Sequence, residues 1–202
     1  MTTTGPDLTV VPANQADWED LVTIFGGRGT GYRCQCQRYK LGPREAFERF
    51  PVEERADRLR EQTDCGYPDS EHTSGLVAHL DGEPVGWCAV EPRPAYPGLV
   101  RHTNRVVWVG RDEDRSDESV WAVTCLFTRA GFRRRGVSRT LALHAVDFAR
   151  ERGARALEAY PITTTKVIDE ELHVGTVDMF TRAGLTQVHA PTPRRVVLRL
   201  DF

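Results

Sequence analysis

The sequence predicts an α/β fold on a mixed sheet, from three observations. Short apolar, β-branched runs alternate with amphipathic helical stretches in the order βαα-ββ-β-αβ-αββ. Asp81-Gly82 between two apolar runs marks an antiparallel hairpin. No segment repeats, which removes solenoids and propellers.

Leu8–Val11 is the first strand. Asn14 caps a helix to about Phe25, with Asp17 in its first turn and Trp18, Leu21, Val22 and Phe25 on one face. Gly26–Gly31 follows as a flexible loop. It lacks the spaced glycines of the dinucleotide fingerprint, and Tyr32 stands where a phosphate loop needs lysine. Pro43–Gln62 reads as two short charged helices divided at Pro51. Ser74–Leu80 and Val85–Val90 pair across Asp81–Pro84. Pro92–Ser119 is a long connection holding a short strand, Arg105–Val109, and a charged tip, Gly110–Arg115; it reads as a lid or as a solvated tip. Val120–Thr128 is a buried strand. The helix after it runs to Gly153 and aligns Val137, Leu141, Ala145, Phe148 and Ala149. Ala154–Tyr160 is a strand closed by Pro161, Thr163–His173 a polar loop, and Gly175–Ala183 a helix stopped at Gly184. Leu185–His189 and Arg195–Leu200 form a last hairpin.

With 202 residues, the chain supports one sizeable core. A net charge of −2 gives no field for nucleic acid, and none is expected as a partner. No apolar run approaches the ~20 residues of a membrane helix, and MTTTGPDLTVVPA lacks the regions of a signal peptide, so the cytoplasm is expected and no membrane partner. The five cysteines, including the pair Cys34 and Cys36, form no disulfide framework. Without two further ligands at workable spacing, no metal is expected.

Val120–Arg150 carries the chemistry. A strand, a turn between Gly131 and Gly136 and a helix N-terminus make an anion site, because the first helical amides are unpaired and sit at the positive end of the dipole. Arg133, Arg134, Arg135 and Arg139 flank it, which suits a polyphosphate. Arg133-x-x-Gly136-x-Ser138 resembles the Arg/Gln-x-x-Gly-x-Gly/Ala signature of the GNAT-type N-acetyltransferases. The hairpin with Gly82–Trp87, the strand Ala156–Tyr160 and Met179–Leu185 follow in that family's order, and the resemblance covers roughly residues 8 to 200.

The resemblance implies a single N-acetyltransferase domain over 1–202, with a loop insertion at about 92–118. Its sheet is mostly antiparallel, bears helices on both faces and splays at a bulge between the fourth and fifth strands. The cosubstrate it implies is acetyl-CoA. The pantetheine is expected along Leu126, Phe127 and Thr128. The pyrophosphate is expected on backbone amides of Arg134, Arg135, Gly136, Val137, Ser138 and Arg139, with side-chain contacts from Arg133 and Arg139. Two departures stand out: Ser138 replaces Gly/Ala, and Phe180 stands at the cofactor-side position where the family usually has a tyrosine acid.

Acetyl transfer needs a deprotonated amine, a polarised carbonyl and a protonated leaving thiolate. Glu91 and Glu118, both at strand ends, are candidate bases, and Tyr160 is the candidate acid. Cys125 reads as a buried, inert thiol. The reaction expected is direct attack of a small-molecule primary amine on the thioester in a ternary complex. Two alternatives remain: a CoA-binding sensor, motivated by Phe180, and an acetyltransferase of proteins or charged tRNA. Gly26–Tyr39, Pro92–Ser119 and Thr163–His173 are expected to border the acceptor entrance, with Asp112, Glu113 and Asp114 attracting a cationic amine. Edge strands allow a homodimer.

Overall fold

Seven strands form one sheet: β1 (Leu8–Pro12), β2 (Gly75–Leu80), β3 (Glu83–Pro92), β4 (Val120–Thr128), β5 (Ala156–Ala159), β6 (Thr186–Thr192) and β7 (Arg195–Asp201). Their order is β1-β2-β3-β4-β5-β7-β6. Among these strands β4 and β5 alone pair in parallel, because the crossover helix α5 (Val137–Glu151) joins them. The other pairs are antiparallel. The computed structural model describes residues 7–101, 106–164 and 166–202.

Helices cover both faces. On one, α5 and α6 (Val177–Arg182) pack Leu141, Ala145, Phe148, Met179 and Phe180 against Leu76, Cys88, Val123 and Leu126. On the other, α1 (Trp18–Phe25) and α3 (Val52–Thr63) pack Leu21, Ile24, Phe25 and Leu59 with Val77, Trp87, Ala89 and Ala122. Two smaller helices, α2 (Gly29–Cys34) and α4 (Pro97–Val100), belong to the connections. No helix among the described residues is long and apolar enough to cross a membrane.

The register of β4 changes at Thr124. Val123 faces Val90 and Cys125 faces Ala89, so Thr124 is the extra residue of a bulge. Before it, Trp121 and Val123 point toward α5; after it, Leu126 does, while Cys125 and Phe127 turn to the α1 side. Pairing with β5 ends at Val123↔Ala159. Beyond that point β5 contributes no partner, and the two strands part as the resemblance implies.

Several expectations change. The cap of α1 is Asp17, in a reciprocal capping box with Asp20. Asn14 is instead buried, and its amide donates to the carbonyls of Tyr67, Pro68 and Ser70. Val22 is 51% exposed, and Ile24 takes its place in the core. The glycine loop gives way to α2, because Gly31 lets the helix lie on Phe127: a Cβ there would sit 2.5 Å from its ring. Val106–Trp108 is a 3-10 turn and no strand; Arg105 lies outside the described residues, as do His102, Thr165 and the first six residues of the N-terminal stretch.

The charged tip of the long connection is tied down and is not a free solvated loop. Glu158, fully buried on β5, accepts from Arg93 at 3.4 Å, Arg111 at 2.5 Å, Arg199 at 3.1 Å and the Tyr160 hydroxyl at 2.7 Å. Glu113 bridges Arg93 and Arg111. Trp108 lies under the guanidinium groups of Arg93, Arg111 and Arg115.

Candidate active site

The bulge, the splay and the turn meet in one place. Arg134 (φ 64°) and Gly136 (φ 85°) adopt left-handed backbone, which folds 129–136 tightly before α5. The first intrahelical bond is Thr140 N–H to the Gly136 carbonyl, 3.0 Å, leaving the preceding amides at the helix mouth. A Cβ at Gly136 would meet nothing within 4 Å, so the space before the turn is open. Gly86 seats the helix: a Cβ there would lie 2.5 Å from Val137. The hydroxyls of Ser138 and Thr128 are 2.9 Å apart, joining helix start to strand end. Serine at the signature position thus has a structural use.

Beside this turn lies a cavity of about 370 Å³. Its β4 wall is Cys125, Leu126, Phe127 and Thr128, its turn wall Arg133, Arg134 and Ser138. Opposite stand Arg33, Cys34, Cys36, Arg38 and Tyr39 from the α2 region, with Leu172 and His173 at one side. Among the described residues, four guanidinium groups and no carboxylate line it. Arg135 and Arg139 are exposed nearby but outside the lining; Arg135 stacks on Phe132. Val137 is buried against the sheet, and Phe180 lies fully buried beneath, in the α5-side core. Burial raises the Tyr39 phenol, despite Arg195 and Arg38, and Tyr39 stacks against His173 with ring centroids 6.1 Å apart.

The acid–base candidates separate. Glu118 is exposed at the start of β4, at the far end of the strand from the cavity. Tyr160 is buried, and its hydroxyl is committed to Glu158; burial and that carboxylate hold its pKa well above the usual range. Glu91 lies on the α1 side of the sheet, ion-paired with Lys40 and close to Tyr96 and Cys36, behind the lining. Burial raises its carboxyl, and Lys40 opposes that.

The entrance also differs from expectation. Residues from Thr30–Tyr39 and Leu172–His173 line the cavity, but no described residue from Pro92–Ser119 does. Glu113 faces arginines, and Asp114 accepts from Ser116. Arg33, Arg38, Tyr39 and Phe47 were not singled out from the sequence. The one signal there was the density of Cys, Arg and Tyr over 32–39. Among the described residues, no group of three His, Cys, Asp or Glu side chains is placed to hold a metal ion.

The model of the Acetyltransferase (GNAT) family matches residues 39–167. No curated protein matches the chain in sequence. Solved structures share the fold. An N-acetyltransferase from Staphylococcus aureus Mu50 aligns at 12% identity and TM-score 0.53, over 96% of this chain and 98% of its own. The PaiA N-acetyltransferase from Thermoplasma acidophilum, in complex with coenzyme A, aligns at 12% and 0.52, over 97% and 99%. YncA from Salmonella typhimurium, with its cofactor acetyl-CoA, aligns at 14% and 0.51, over 96% and 93%. With the family match spanning more than half of the chain, on a splayed sheet and an arginine-flanked helix mouth, the protein belongs to the acetyltransferase (GNAT) family.

Proposed function

We propose that this protein transfers the acetyl group of acetyl-CoA to the primary amine of a small-molecule acceptor, by direct attack in a ternary complex. The observation that carries the reading is the cavity between the β4 edge past the Thr124 bulge and the mouth of α5. The relative from T. acidophilum is in complex with coenzyme A and that from S. typhimurium holds acetyl-CoA, and the residues here fit such a cosubstrate. Leu126, Phe127 and Thr128 give the pantetheine an edge to pair with. The amides of Arg134–Arg139 and the side chains of Arg133 and Arg134 suit the pyrophosphate.

The amine enters from the Arg33–Tyr39 side. Arg33 and Arg38 favour an amine that also carries an anionic group. Glu91 serves as base through water, since it alone of the candidates stands near the cavity, against Cys36. The leaving thiolate takes its proton from solvent, because Phe180 has none and Tyr160 is committed to Glu158.

Thioester consumption with a panel of matched amines, with and without a carboxylate, tests this. The expected result is turnover favouring the carboxylate-bearing members. Consumption with polypeptide or charged-tRNA acceptors alone, or with none, overturns it.

A further inference from the structure

The Cys34-Gln35-Cys36 segment is not absorbed by the acetyl-transfer reading, yet the fold spends strain on it. Gln35 (φ 45°) and Cys36 (φ 54°) are consecutive non-glycine residues in the left-handed region. Such positions are strained for a residue with a Cβ and persist only where the surroundings impose them. The effect here is to turn Cys36 onto the cavity wall, opposite Cys125 of β4. Cys36 is buried in the cluster against which Cys125 packs, and both residues line the cavity.

The charges sort the pair. The neighbouring Cys125 thiol and Lys40 lower the Cys36 thiol against the opposing effects of burial and Glu91. Cys36 in turn, with burial, holds Cys125 well above the ordinary range. One sulfur is therefore the nucleophile and its neighbour the resolving thiol. The other cysteines are placed differently. Burial raises the Cys34 thiol, Cys88 is fully buried in the α5-side core, and Cys65 bonds to Thr63. All five are free thiols.

We propose that Cys36 and Cys125 are a reactive pair which a low-molecular-weight disulfide, entering the cavity, oxidises to an internal cross-link that bars acetyl-CoA. The Cys36 thiolate attacks one sulfur of RSSR, forming a mixed disulfide, and the released thiolate takes up a proton. Cys125 then attacks the Cys36 sulfur, and its proton leaves with the second RSH. Two protein thiols are oxidised, and one RSSR is reduced to two RSH. The bridge would lie beside Leu126, on the path proposed for the pantetheine.

The test treats the full chain with hydroxyethyl disulfide, blocks residual thiols and maps peptides by mass. The expected product is lighter by two hydrogens and joins the Cys36 and Cys125 peptides. It forms in Cys34→Ser and fails in both Cys36→Ser and Cys125→Ser; reductant reverses it. A Cys34–Cys36 link, a stable mixed disulfide without resolution, or no reaction overturns the pair. The oxidised protein should bind acetyl-CoA at least about tenfold more weakly, ~1.4 kcal/mol, and regain affinity on reduction. A cross-link that leaves affinity unchanged overturns the closure. Closure rests on the proposed acetyl-CoA site and the cross-link does not: if reduced protein shows no acetyl-CoA binding while the link forms, the site assignment has failed and the pair stands.

Discussion

Replacing Glu158 by glutamine tests the account of how the long connection is held. The carboxylate is fully buried and accepts from Arg93, Arg111, Arg199 and Tyr160. Glutamine keeps the shape and removes the charge. Each guanidinium–carboxylate contact at ~4 Å is worth about 4 kcal/mol in gross Coulomb terms at an effective dielectric of 20. Most of that offsets desolvation, and breaking one side of a buried pair costs about 3–5 kcal/mol net. Glu113, still facing Arg93 and Arg111, softens the loss but is 36% exposed and distant from full compensation. The expected destabilisation is therefore about 3–4 kcal/mol. With a urea slope of about 2 kcal/mol/M, the midpoint falls by roughly 1.5–2 M. Adding Arg93→Met should recover part of it, since the stranded buried cation is then removed. A midpoint shift below about 0.3 M would refute the reasoning, because it would mean the arginines are solvated and the loop is not anchored by charge.

Other perturbations follow the same logic. Gly31→Ala places a Cβ against Phe127 and should cost about 1–3 kcal/mol while raising the KM for acetyl-CoA; steady-state kinetics and melting read both. Asp112→Lys should leave the acceptor KM unchanged, since Asp112 does not line the cavity; a changed KM would return it to the entrance. Asp117 is held down to about 2 by hydrogen bonds from Ser119 and by Arg155. Its folded value lies below the unfolded one, so its contribution to stability is present above about pH 4 and is lost as pH falls through about 2. A carboxyl-carbon NMR titration of Asp117 checks this, and a midpoint near 4 would contradict it.

Much of the fold was legible because it rests on local rules. The Asp81-Gly82 hairpin, the β4–turn–α5 unit and the mostly antiparallel order follow from turn chemistry and hydrophobic period. The rest depends on tertiary contacts. Asn14 looks like a helix cap, but the carbonyls of Tyr67, Pro68 and Ser70, far along the chain, claim its amide. A glycine-rich run reads as a loop until Phe127 gives Gly31 a surface to lie on. The acids at 112–114 look solvated because the arginines that gather Glu113 come from three separate segments. In the site, the turn and the β4 end were readable from the Arg133–Ser138 signature. The α2-side wall was readable only as a segment, Gly26–Tyr39, since its lining residues Arg33, Arg38 and Tyr39 follow no motif.

The central claim is that the open turn before α5 receives the pyrophosphate of acetyl-CoA. Calorimetric titration of acetyl-CoA into wild type and Gly136→Asp tests it most directly, with circular dichroism confirming that the variant is folded. The account predicts one molecule bound per wild-type chain, weakening as salt rises, and at least about a tenfold loss when a carboxylate stands at the turn. Equal affinity in a folded variant would contradict it.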